Sequence, residues 1–414
     1  MMMPQLAIIA DDLTGAADTG ACFASAGLAT VIPFGGAPVP AVDVVVLSTE
    51  TRDLAAADAA DIVLAATERI VAGDSANPRW VYKKIDSALR GHPRDELLAV
   101  MTALDATRAL VAPAFPAEGR TTRDGQQRVD GVPLAGSRLG EPGAVSDLVT
   151  LFQDERRWPV SHLDLATIRG TPDVIRRHLD DPEPGIVVAD AETDDDLLAL
   201  ARAASGSPLR VLCGAAGFAR QLSLALPLRH SVRVPIGRQE RFGPILVVAG
   251  SQHDATARQI AVLRAAGTPI VVPAQEVIDD RDVASDGIVA EIASHLAAGH
   301  STVLTTVGMK TSPYGGGAVA ARLAEIAAAP EVRPHIGGLV LTGGDVATAV
   351  CAALRATALW LGGEITPGQP LGWLAGGALP GIPVATKAGS FGDDHALLAG
   401  IDHVKGILLR RPES

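Results

Sequence analysis

The feature that most constrains this chain is the alternation of short β-branched runs with Ala/Leu-rich stretches of helical length. Strands that alternate with helices in this way form layered α/β domains around mostly parallel sheets. The first half contains the runs LAIIA, VDVVVLS, WVYKKI, RALVAPA, GIVVADA and RVLCG, and the second half contains ILVVAGS, PIVVPA, TVLTTV, GLVLTG and PVATKAG. The predicted fold class is α/β, with mostly parallel sheets flanked by helices.

Chain length and one irregular segment together predict two domains. A chain of 414 residues exceeds the roughly 250 to 300 residues that one hydrophobic core usually supports. The segment LPLRHSVRVPIGRQERFGP, residues 226–244, is rich in Pro and Arg and has no clear periodicity. We predict a first domain over residues 1–230, a linker over 231–244 and a second domain over 245–414, with the active site in the cleft between the domains.

The net charge and the N-terminal sequence limit the classes of partner and the cellular location that we expect. A net charge of −12 argues against a nucleic-acid partner and against binding to an anionic membrane surface. The N-terminal run MMMPQLAIIADD has no basic region and is interrupted by two aspartates, so we expect no signal peptide. No apolar run approaches the roughly 20 residues of a membrane span. With three widely separated cysteines, these features predict a cytoplasmic protein.

Three carboxylates crowd the stretch IADDLTGAADTG, where an apolar strand leads into a helix of small residues. The carboxyl ends of parallel strands form the edge at which open α/β sheets bind ligands. Asp12 has a structural explanation as the N-cap of the helix, but this does not account for Asp11 and Asp18. A ligand or metal role and a structural role both stay open on this stretch, and no metal ligand is assigned.

A basic stretch, VYKKIDSALRGHPRDEL, is equally unusual for a buried strand. Strand alternation directs Lys83 and Lys84 to opposite faces. A strand covered on both faces should not carry two lysines unless its end opens into a site, and the alternative is an edge strand protected by lysines. Arg90 follows in a loop, and Arg52 of STETR is a candidate carboxylate clamp. Basic groups that face an acidic cluster suit an anionic, polyhydroxylated substrate and a transferring phosphoryl group.

One long segment, PAFPAEGRTTRDGQQRVDGVPL at residues 113–134, breaks the alternation of strands and helices. It is rich in turn-forming residues and arginines. Long segments without regular structure inside a compact domain tend to be functional loops or lids. We expect such a loop here, with a plain surface excursion as the alternative.

Three stretches of the second half share the order of apolar strand, small-residue turn and helix: ILVVAGSQHDATARQIAVL, GLVLTGGDVATAVCAAL and PVATKAGSFGDDHALLAGI. Helix N-termini present free N–H groups, and glycine lets the backbone approach a phosphate. Three such turns in one domain, at Ser251, Gly343, Gly344 and Gly389, indicate a nucleotide polyphosphate site, with ordinary turns as the alternative. A Walker P-loop is absent. GGGAVA formally matches a dinucleotide fingerprint, but it follows KTSPY and not a strand.

The order of these motifs resembles the four-carbon acid sugar kinase family. The resemblance runs through IADDLTGAADTG, TETR, YKKIDSALRG, PAFPAEGRTT with DGVPL, AGSQHDAT, LTGGDVATAV and TKAGSFG, and so covers almost the whole chain. It implies an N-terminal sugar-acid domain and a C-terminal nucleotide domain. It also implies ATP as phosphoryl donor, Mg²⁺ as cofactor, and threonate, erythronate or 3-oxo-tetronate as the substrate, phosphorylated at the terminal hydroxyl.

The resemblance also implies site residues, carried over by position. ATP contacts are expected at Ser251, Gly343, Gly344, Asp345, Val346 and Gly389. Sugar-acid contacts are expected around Asp12, Arg52, Lys84, Asp86 and Arg90. The chain departs from the family pattern at Ala88, His92, His253 and Ser390. The first two border the expected substrate pocket, so the acid and its stereochemistry stay open.

The kinase interpretation gives the charged residues roles, because phosphoryl transfer needs an oriented hydroxyl and charge neutralisation. We hypothesise that Asp12 is the catalytic base, with Asp86 as the second candidate. Asp11 would help to orient the sugar hydroxyls. Lys84 and Arg90 would balance the substrate carboxylate or the γ-phosphate.

Two other classes of function share these features. A nicotinamide-dependent oxidoreductase of a sugar acid would use a similar α/β fold. A non-catalytic sugar-acid sensor would need an output module, and the sequence shows none. The partners expected in the kinase interpretation are a small sugar acid and ATP, with no nucleic acid and no membrane. The oligomeric state is open, with a homodimer as one option.

Overall fold

The computed structural model describes residues 4–71, 78–154, 157–230 and 242–409. The chain divides into two compact units, one formed by Met1–Thr30 with Val39–Arg233 and the other by Val31–Pro38 with Val234–Ser414. Most of the predicted linker, residues 231–241, lies outside the described residues, so the predicted domain boundaries stay predictions. Within the described ranges, no helix is both long enough and apolar enough to cross a membrane.

The first part of the chain contains short strands and helices in alternation. The strands are β1 (Leu6–Ala10), β2 (Thr30–Pro33), β3 (Val44–Ser48), β4 (Trp80–Lys84), β5 (Arg108–Ala112), β6 (Arg120–Arg123), β7 (Gln126–Val129), β8 (Val132–Pro133), β9 (Val160–Leu163), β10 (Gly185–Ala189) and β11 (Val211–Gly214). The helices are α1 (Leu13–Ser25), α2 (Ala56–Val71), α3 (Pro93–Ala103), α4 (Leu148–Phe152), α5 (Leu165–Ile168), α6 (Pro172–Leu179), α7 (Asp194–Ser205) and α8 (Ala216–Ala225).

The first unit is built on a parallel sheet with the strand order β3-β1-β4-β11-β5-β10-β9. Every residue of β1 and of β4 is buried, as expected of strands that are covered on both faces. β4 lies between β1 and β11. The alternative of an edge strand protected by lysines is therefore wrong, and the two lysines of β4 need another explanation.

The segment at residues 113–134 forms a small antiparallel sheet with the order β6-β7-β8, so the expected irregular loop is wrong. Asp124 and Gly125, at the turn between β6 and β7, both have positive φ, the signature of a type I′ hairpin turn. The side chain of Asp190 accepts hydrogen bonds from the N–H groups of both residues, each at 2.9 Å. Asp190 thereby fixes the hairpin to the end of β10.

The second part of the chain repeats the α/β pattern. Its strands are β12 (Ile245–Ala249), β13 (Ile270–Val271), β14 (Thr302–Thr305), β15 (Gly338–Thr342), β16 (Ala358–Thr366), β17 (Gln369–Ala375) and β18 (Pro383–Lys387). Its helices are α9 (Asp254–Ala265), α10 (Gln275–Asp279), α11 (Asp286–Ala297), α12 (Gly315–Ala327), α13 (Gly344–Ala353) and α14 (Ala396–Leu409).

The sheet of the second unit has the order β13-β14-β12-β15-β18-β17-β16. The pairs from β13 to β18 are parallel, and β17 pairs antiparallel with both β18 and β16. All the strands predicted from the apolar runs are present, and the α/β class with mostly parallel sheets is confirmed. The β16–β17 hairpin was not predicted, although Pro367 and Gly368 form a turn signal between two apolar runs.

Candidate active site

The two aspartates that follow β1 are bound by a single arginine from the loop after β3. Asp11 accepts two hydrogen bonds from Arg52, from Nε at 2.7 Å and from Nη2 at 2.9 Å. Asp12 accepts a third, from Arg52 Nη1 at 2.7 Å. Asp12 is also the N-cap of α1, since its Oδ1 accepts from the N–H of Gly15 at 2.8 Å. The structural explanation of Asp12 therefore holds, and Arg52 adds a charged partner.

The environment separates the two aspartates in acidity. For Asp11, burial favours the neutral acid, but the positive charges of Arg52, Lys83 and Lys84 outweigh it, so its pKa is lowered. For Asp12, burial dominates over the charge of Arg52, and the neighbouring charge of Asp11 adds to it, so its pKa is raised. Of the pair, Asp12 is the carboxylate that more readily takes up a proton.

The ammonium group of Lys84, at the end of β4, lies beside Asp12 and above the first turn of α1. A Cβ atom placed on Gly15 would lie 3.0 Å from Lys84 Nζ and 2.6 Å from Asp12 Oδ1. Any side chain at this position would therefore meet both groups. Sequence reasoning missed Gly15, although a glycine in the first turn of a helix is unfavourable without a packing reason.

Lys83 points to the opposite face of β4 and forms a buried ion pair. Its Nζ lies 2.7 Å from Oε2 of Glu96, with both side chains at most 1% exposed. Glu96 Oε1 accepts from the hydroxyl of Thr51 at 2.5 Å, and Lys83 also donates to the carbonyl of Lys84 at 2.7 Å. The ion pair thus contacts Thr51, which precedes Arg52, and the main-chain carbonyl of Lys84.

Asp86 and Arg90 form a second charged group in the loop between β4 and α3. Arg90 donates to both carboxylate oxygens of Asp86, from Nε at 3.0 Å and from Nη2 at 2.9 Å. Burial favours neutral Asp86, but Arg90, with Arg52 and Lys84, outweighs it and holds the pKa well below its usual range. Asp86 is thus a poor proton acceptor, which favours Asp12 over Asp86 as the base.

The Asp86–Arg90 pair should make the stability of the fold depend on pH in the acid range. Because the folded pKa of Asp86 lies below the ordinary value of about 3.9, its contribution is fully present above that pH and is lost as the pH falls through the lowered pKa. Asp86→Asn should therefore lose less stability than the wild-type protein between about pH 5 and pH 2. Urea unfolding across this range measures the difference, and parallel curves would contradict it.

The small β6-β7-β8 sheet packs against the loop that carries Asp86. Gln127 of β7 donates to the carbonyl of Ser87 at 2.7 Å. Ala88 belongs to a buried apolar cluster with Val129 and Leu134. Ala88, where the chain departs from the family pattern, thus packs against apolar side chains of the small sheet. This contact helps to hold the Asp86 loop in place.

Two of the predicted nucleotide turns lie against each other in the second unit. Ser251 follows β12 and Gly389 follows β18. A Cβ atom placed on Gly389 would collide with Ser251 Oγ, so only glycine permits this approach. The hydroxyl of Thr256 donates to the carbonyl of Gly389 at 2.9 Å. His253 is the N-cap of α9, and its ring accepts from the N–H of Ala255 at 3.3 Å.

The third predicted turn, at the start of α13, lies at the same end of the sheet. Gly343 has a φ of 100° and is the N-cap residue of α13, which begins with Gly344, Asp345 and Val346. Its N–H donates to the carbonyl of Lys387 at 3.0 Å. A Cβ atom on Gly316 would lie 3.2 Å from Asp345 Oδ2, so the discounted GGGAVA segment borders this turn.

The predicted site residues therefore form one cluster in each unit. Asp11, Asp12, Arg52, Lys84, Asp86 and Arg90 follow the carboxyl ends of the neighbouring strands β3, β1 and β4. Ser251, Gly343, Gly344, Asp345, Val346 and Gly389 follow those of β12, β15 and β18, which are also neighbours. Among the described residues, no group of three or more His, Cys, Asp or Glu side chains could hold a metal ion.

Comparisons with known proteins agree with this division. A model of a sugar-binding N-terminal domain matches residues 6–222, and a model of a nucleotide-binding C-terminal domain matches residues 246–397. The chain is 37% identical to a D-threonate kinase from Bordetella bronchiseptica, over 97% of this chain and 98% of the relative. It is 31% identical to a 3-oxo-tetronate kinase from Methylobacterium radiotolerans, over 94% of this chain and 96% of the relative.

Solved structures share the fold. A structure from Salmonella typhimurium LT2 aligns with a TM-score of 0.77 at 22% identity, over 95% of this chain and 98% of that chain. A structure from Haemophilus influenzae aligns with a TM-score of 0.70 at 20% identity, over 97% of this chain and all of that chain. The matched domains and the near full-length identity to kinases favour the kinase interpretation over the oxidoreductase and the sensor, and the chain belongs to the four-carbon acid sugar kinase family.

Proposed function

We propose that this protein transfers the γ-phosphoryl group of ATP to the terminal hydroxyl of a four-carbon sugar acid, with D-threonate as the first candidate substrate. Relatives that are 37%, 32% and 36% identical to this chain are D-threonate kinases. Others, at 31% and 30%, are a 3-oxo-tetronate kinase and a D-erythronate kinase.

The observation that carries the proposed mechanism is the position of Asp12, whose carboxylate accepts from Arg52 at 2.7 Å and lies near the ammonium of Lys84. The raised pKa of Asp12 supports it. A carboxylate with a raised pKa is a better general base near neutral pH than an ordinary one. In the proposed step, Asp12 takes the proton of the terminal hydroxyl as the hydroxyl oxygen attacks the γ-phosphorus and ADP leaves. Lys84 stabilises the negative charge that develops close to Asp12.

The other charged residues hold the acid and the base in place. Arg52 is the candidate carboxylate clamp of the sequence analysis, and its guanidinium binds the carboxylates of Asp11 and Asp12. We propose that Arg52 keeps Asp11 ionised and orients both carboxylates, while Asp11 helps to orient a sugar hydroxyl. Arg90, whose side chain is 41% exposed beside Asp86, is the cation best placed to meet the carboxylate of the substrate.

The second unit supplies the proposed nucleotide site. The turns at Ser251, Gly343 and Gly389 bring backbone N–H groups and the N-terminus of α13 to one end of the sheet, a chemistry that suits phosphate oxygens. Mg²⁺ in kinases is held mainly by substrate phosphates with one or two carboxylates. Asp345, in the first turn of α13, is the proposed carboxylate.

The location and the assembly stay proposals. Cys22, Cys213 and Cys351 are buried, and burial raises the pKa of the Cys213 thiol to about 12. The wide separation of the three cysteines in the sequence supports a reducing compartment such as the cytoplasm as the proposed location. A homodimer stays one option for the oligomeric state.

The first test is ADP release with Mg²⁺ and ATP across D- and L-threonate, D- and L-erythronate and the 3-oxo-tetronates. We expect turnover that depends on the acid, with D-threonate among the active acids, because the relatives that are 37%, 32% and 36% identical to this chain are D-threonate kinases. If no acid in the panel supports turnover but ATP binds, the substrate lies outside four-carbon acids. If ATP does not bind either, the proposed function is wrong.

A further inference from the structure

Residues 388–393 form the first part of the segment between β18 and α14, and they are held by hydrogen bonds to their main-chain carbonyl groups. We call this segment the β18–α14 loop; it contains Gly389. Lys387 Nζ donates to the carbonyls of Ala388 at 2.8 Å and Phe391 at 2.9 Å. Gln259 Nε2 donates to those of Phe391 at 3.1 Å, Gly392 at 3.4 Å and Asp393 at 2.8 Å, and Thr256 donates to that of Gly389.

The three donor side chains are buried, whereas the loop is half-buried or exposed. Thr256 and Gln259 come from one face of α9, and Lys387 is the last residue of β18. A buried amide or ammonium group that loses its acceptors carries a large desolvation penalty. The path of the loop is therefore determined by these donors, which contact it from its buried side.

The direction of the loop carbonyls predicts the direction of the N–H groups that follow them. In a trans peptide the carbonyl and the N–H of the next residue point in opposite directions, and the described residues contain no cis peptide bonds. Because the carbonyls of Ala388, Gly389 and Phe391 are turned towards α9 and β18, the N–H groups of Gly389, Ser390 and Gly392 are turned away. Successive N–H groups in a turn form a concave site for anions.

The same anchors connect the loop to the other two nucleotide turns. The carbonyl of Lys387 accepts from the N–H of Gly343, at the start of α13. Gly389 packs directly on Ser251, and Thr256 lies on the helix that follows Ser251. A change at Lys387 or Gln259 would therefore alter the spacing of all three turns.

We infer that Thr256, Gln259 and Lys387 are positioning residues that shape the β18–α14 loop so that its N–H groups bind the phosphates of ATP. This inference rests on the proposed nucleotide site in the second unit. None of the three side chains needs to touch ATP. Their effect passes through the backbone, so they should govern the affinity for ATP and leave the affinity for the sugar acid unchanged.

The test compares Thr256→Val, Gln259→Leu and Lys387→Met with the wild-type protein. Isothermal titration calorimetry with MgATP should give dissociation constants raised by about tenfold for Gln259→Leu and Lys387→Met, and by a smaller factor for Thr256→Val, which loses one hydrogen bond. In turnover assays the KM for ATP should rise by similar factors, while the KM for the sugar acid stays within about twofold. Thr256→Val is nearly isosteric, so it tests the inference even if Lys387→Met fails to fold.

Arg322→Met is the matched control. Arg322 is another buried cation of the second unit, and it donates to the carbonyls of Val277 at 2.8 Å and Val283 at 2.6 Å. This variant should lower the thermal midpoint without changing the affinity for ATP. Folded loop variants that bind ATP like the wild-type protein, or a control that weakens ATP binding equally, would overturn the inference and leave the proposed function intact. A wild-type protein that does not bind ATP would overturn both.

Discussion

Replacing Asp12 by Asn should lower kcat by about 10²-fold or more and leave the fold intact. The asparagine carbonyl oxygen can still accept from the N–H of Gly15, so the N-cap of α1 is kept. It can no longer take up the proton of the attacking hydroxyl. It also removes one of the two negative charges that Arg52 binds, but Arg52 keeps both of its hydrogen bonds to Asp11. ADP release measured at saturating ATP and sugar acid gives the ratio of kcat values.

Asp43→Asn is the matched control for this experiment. Asp43 is a buried aspartate of the same unit, and it lies immediately before the start of β3. Its carboxylate accepts from the N–H of Ala29 at 3.0 Å. It thus lies at the amino end of the strand, away from the cluster at the carboxyl ends. We expect kcat of the control to stay within about threefold of wild type. Near-normal kcat in Asp12→Asn would reject Asp12 as the base and turn attention to Asp86.

The position of both residue clusters could be predicted from the sequence because parallel strands have a fixed direction. Once LAIIA, VDVVVLS and WVYKKI were identified as parallel strands, the residues that follow them had to share one edge of the sheet. Asp12, Arg52 and Lys84 accordingly lie close together. Local patterns identify the strands, and the α/β topology then brings the residues that follow them to one edge of the sheet.

The side-chain partners could not be predicted in the same way. Arg52 binds two aspartates 40 and 41 residues away, and Lys83 pairs with Glu96 across the face of β4. Sequence alternation gives the face to which a side chain points, but it does not say which helix covers that face. For this reason the sequence could identify Arg52 as a candidate carboxylate clamp but could not name Asp11 and Asp12 as its partners.

The small sheet at residues 113–134 was missed although its signal was present. RDGQ and VDGV each contain an Asp-Gly pair, and Asp124, Gly125, Asp130 and Gly131 all have positive φ. Asp-Gly between short β-prone runs is a strong hairpin signal. The arginines and glutamines of these strands hid the pattern, because the hairpins are polar on one side and are held by Asp190 and Gln127 and not by a large apolar face.

Breaking the Lys83–Glu96 ion pair should have the largest effect on stability. Both side chains are at most 1% exposed, and Nζ lies 2.7 Å from Oε2. Lys83→Met leaves the carboxylate of Glu96 buried without its countercharge, while the hydroxyl of Thr51 still donates to it. Removal of one partner of a buried ion pair destabilises proteins by about 3–5 kcal/mol. Urea unfolding at pH 7 measures the change in the free energy of unfolding.

The double variant Lys83→Met/Glu96→Leu separates a lost charge pair from lost packing. Replacing both partners by apolar side chains of similar volume removes the isolated charge, and such replacements are often neutral or stabilising. We therefore expect the double variant to recover most of the stability that Lys83→Met loses. The ion pair holds Thr51, which precedes Arg52, and the backbone of Lys84. The double variant loses these contacts, so it should still raise the KM for the sugar acid. A double variant as unstable as Lys83→Met would show that packing, and not the buried charge, dominates at this position.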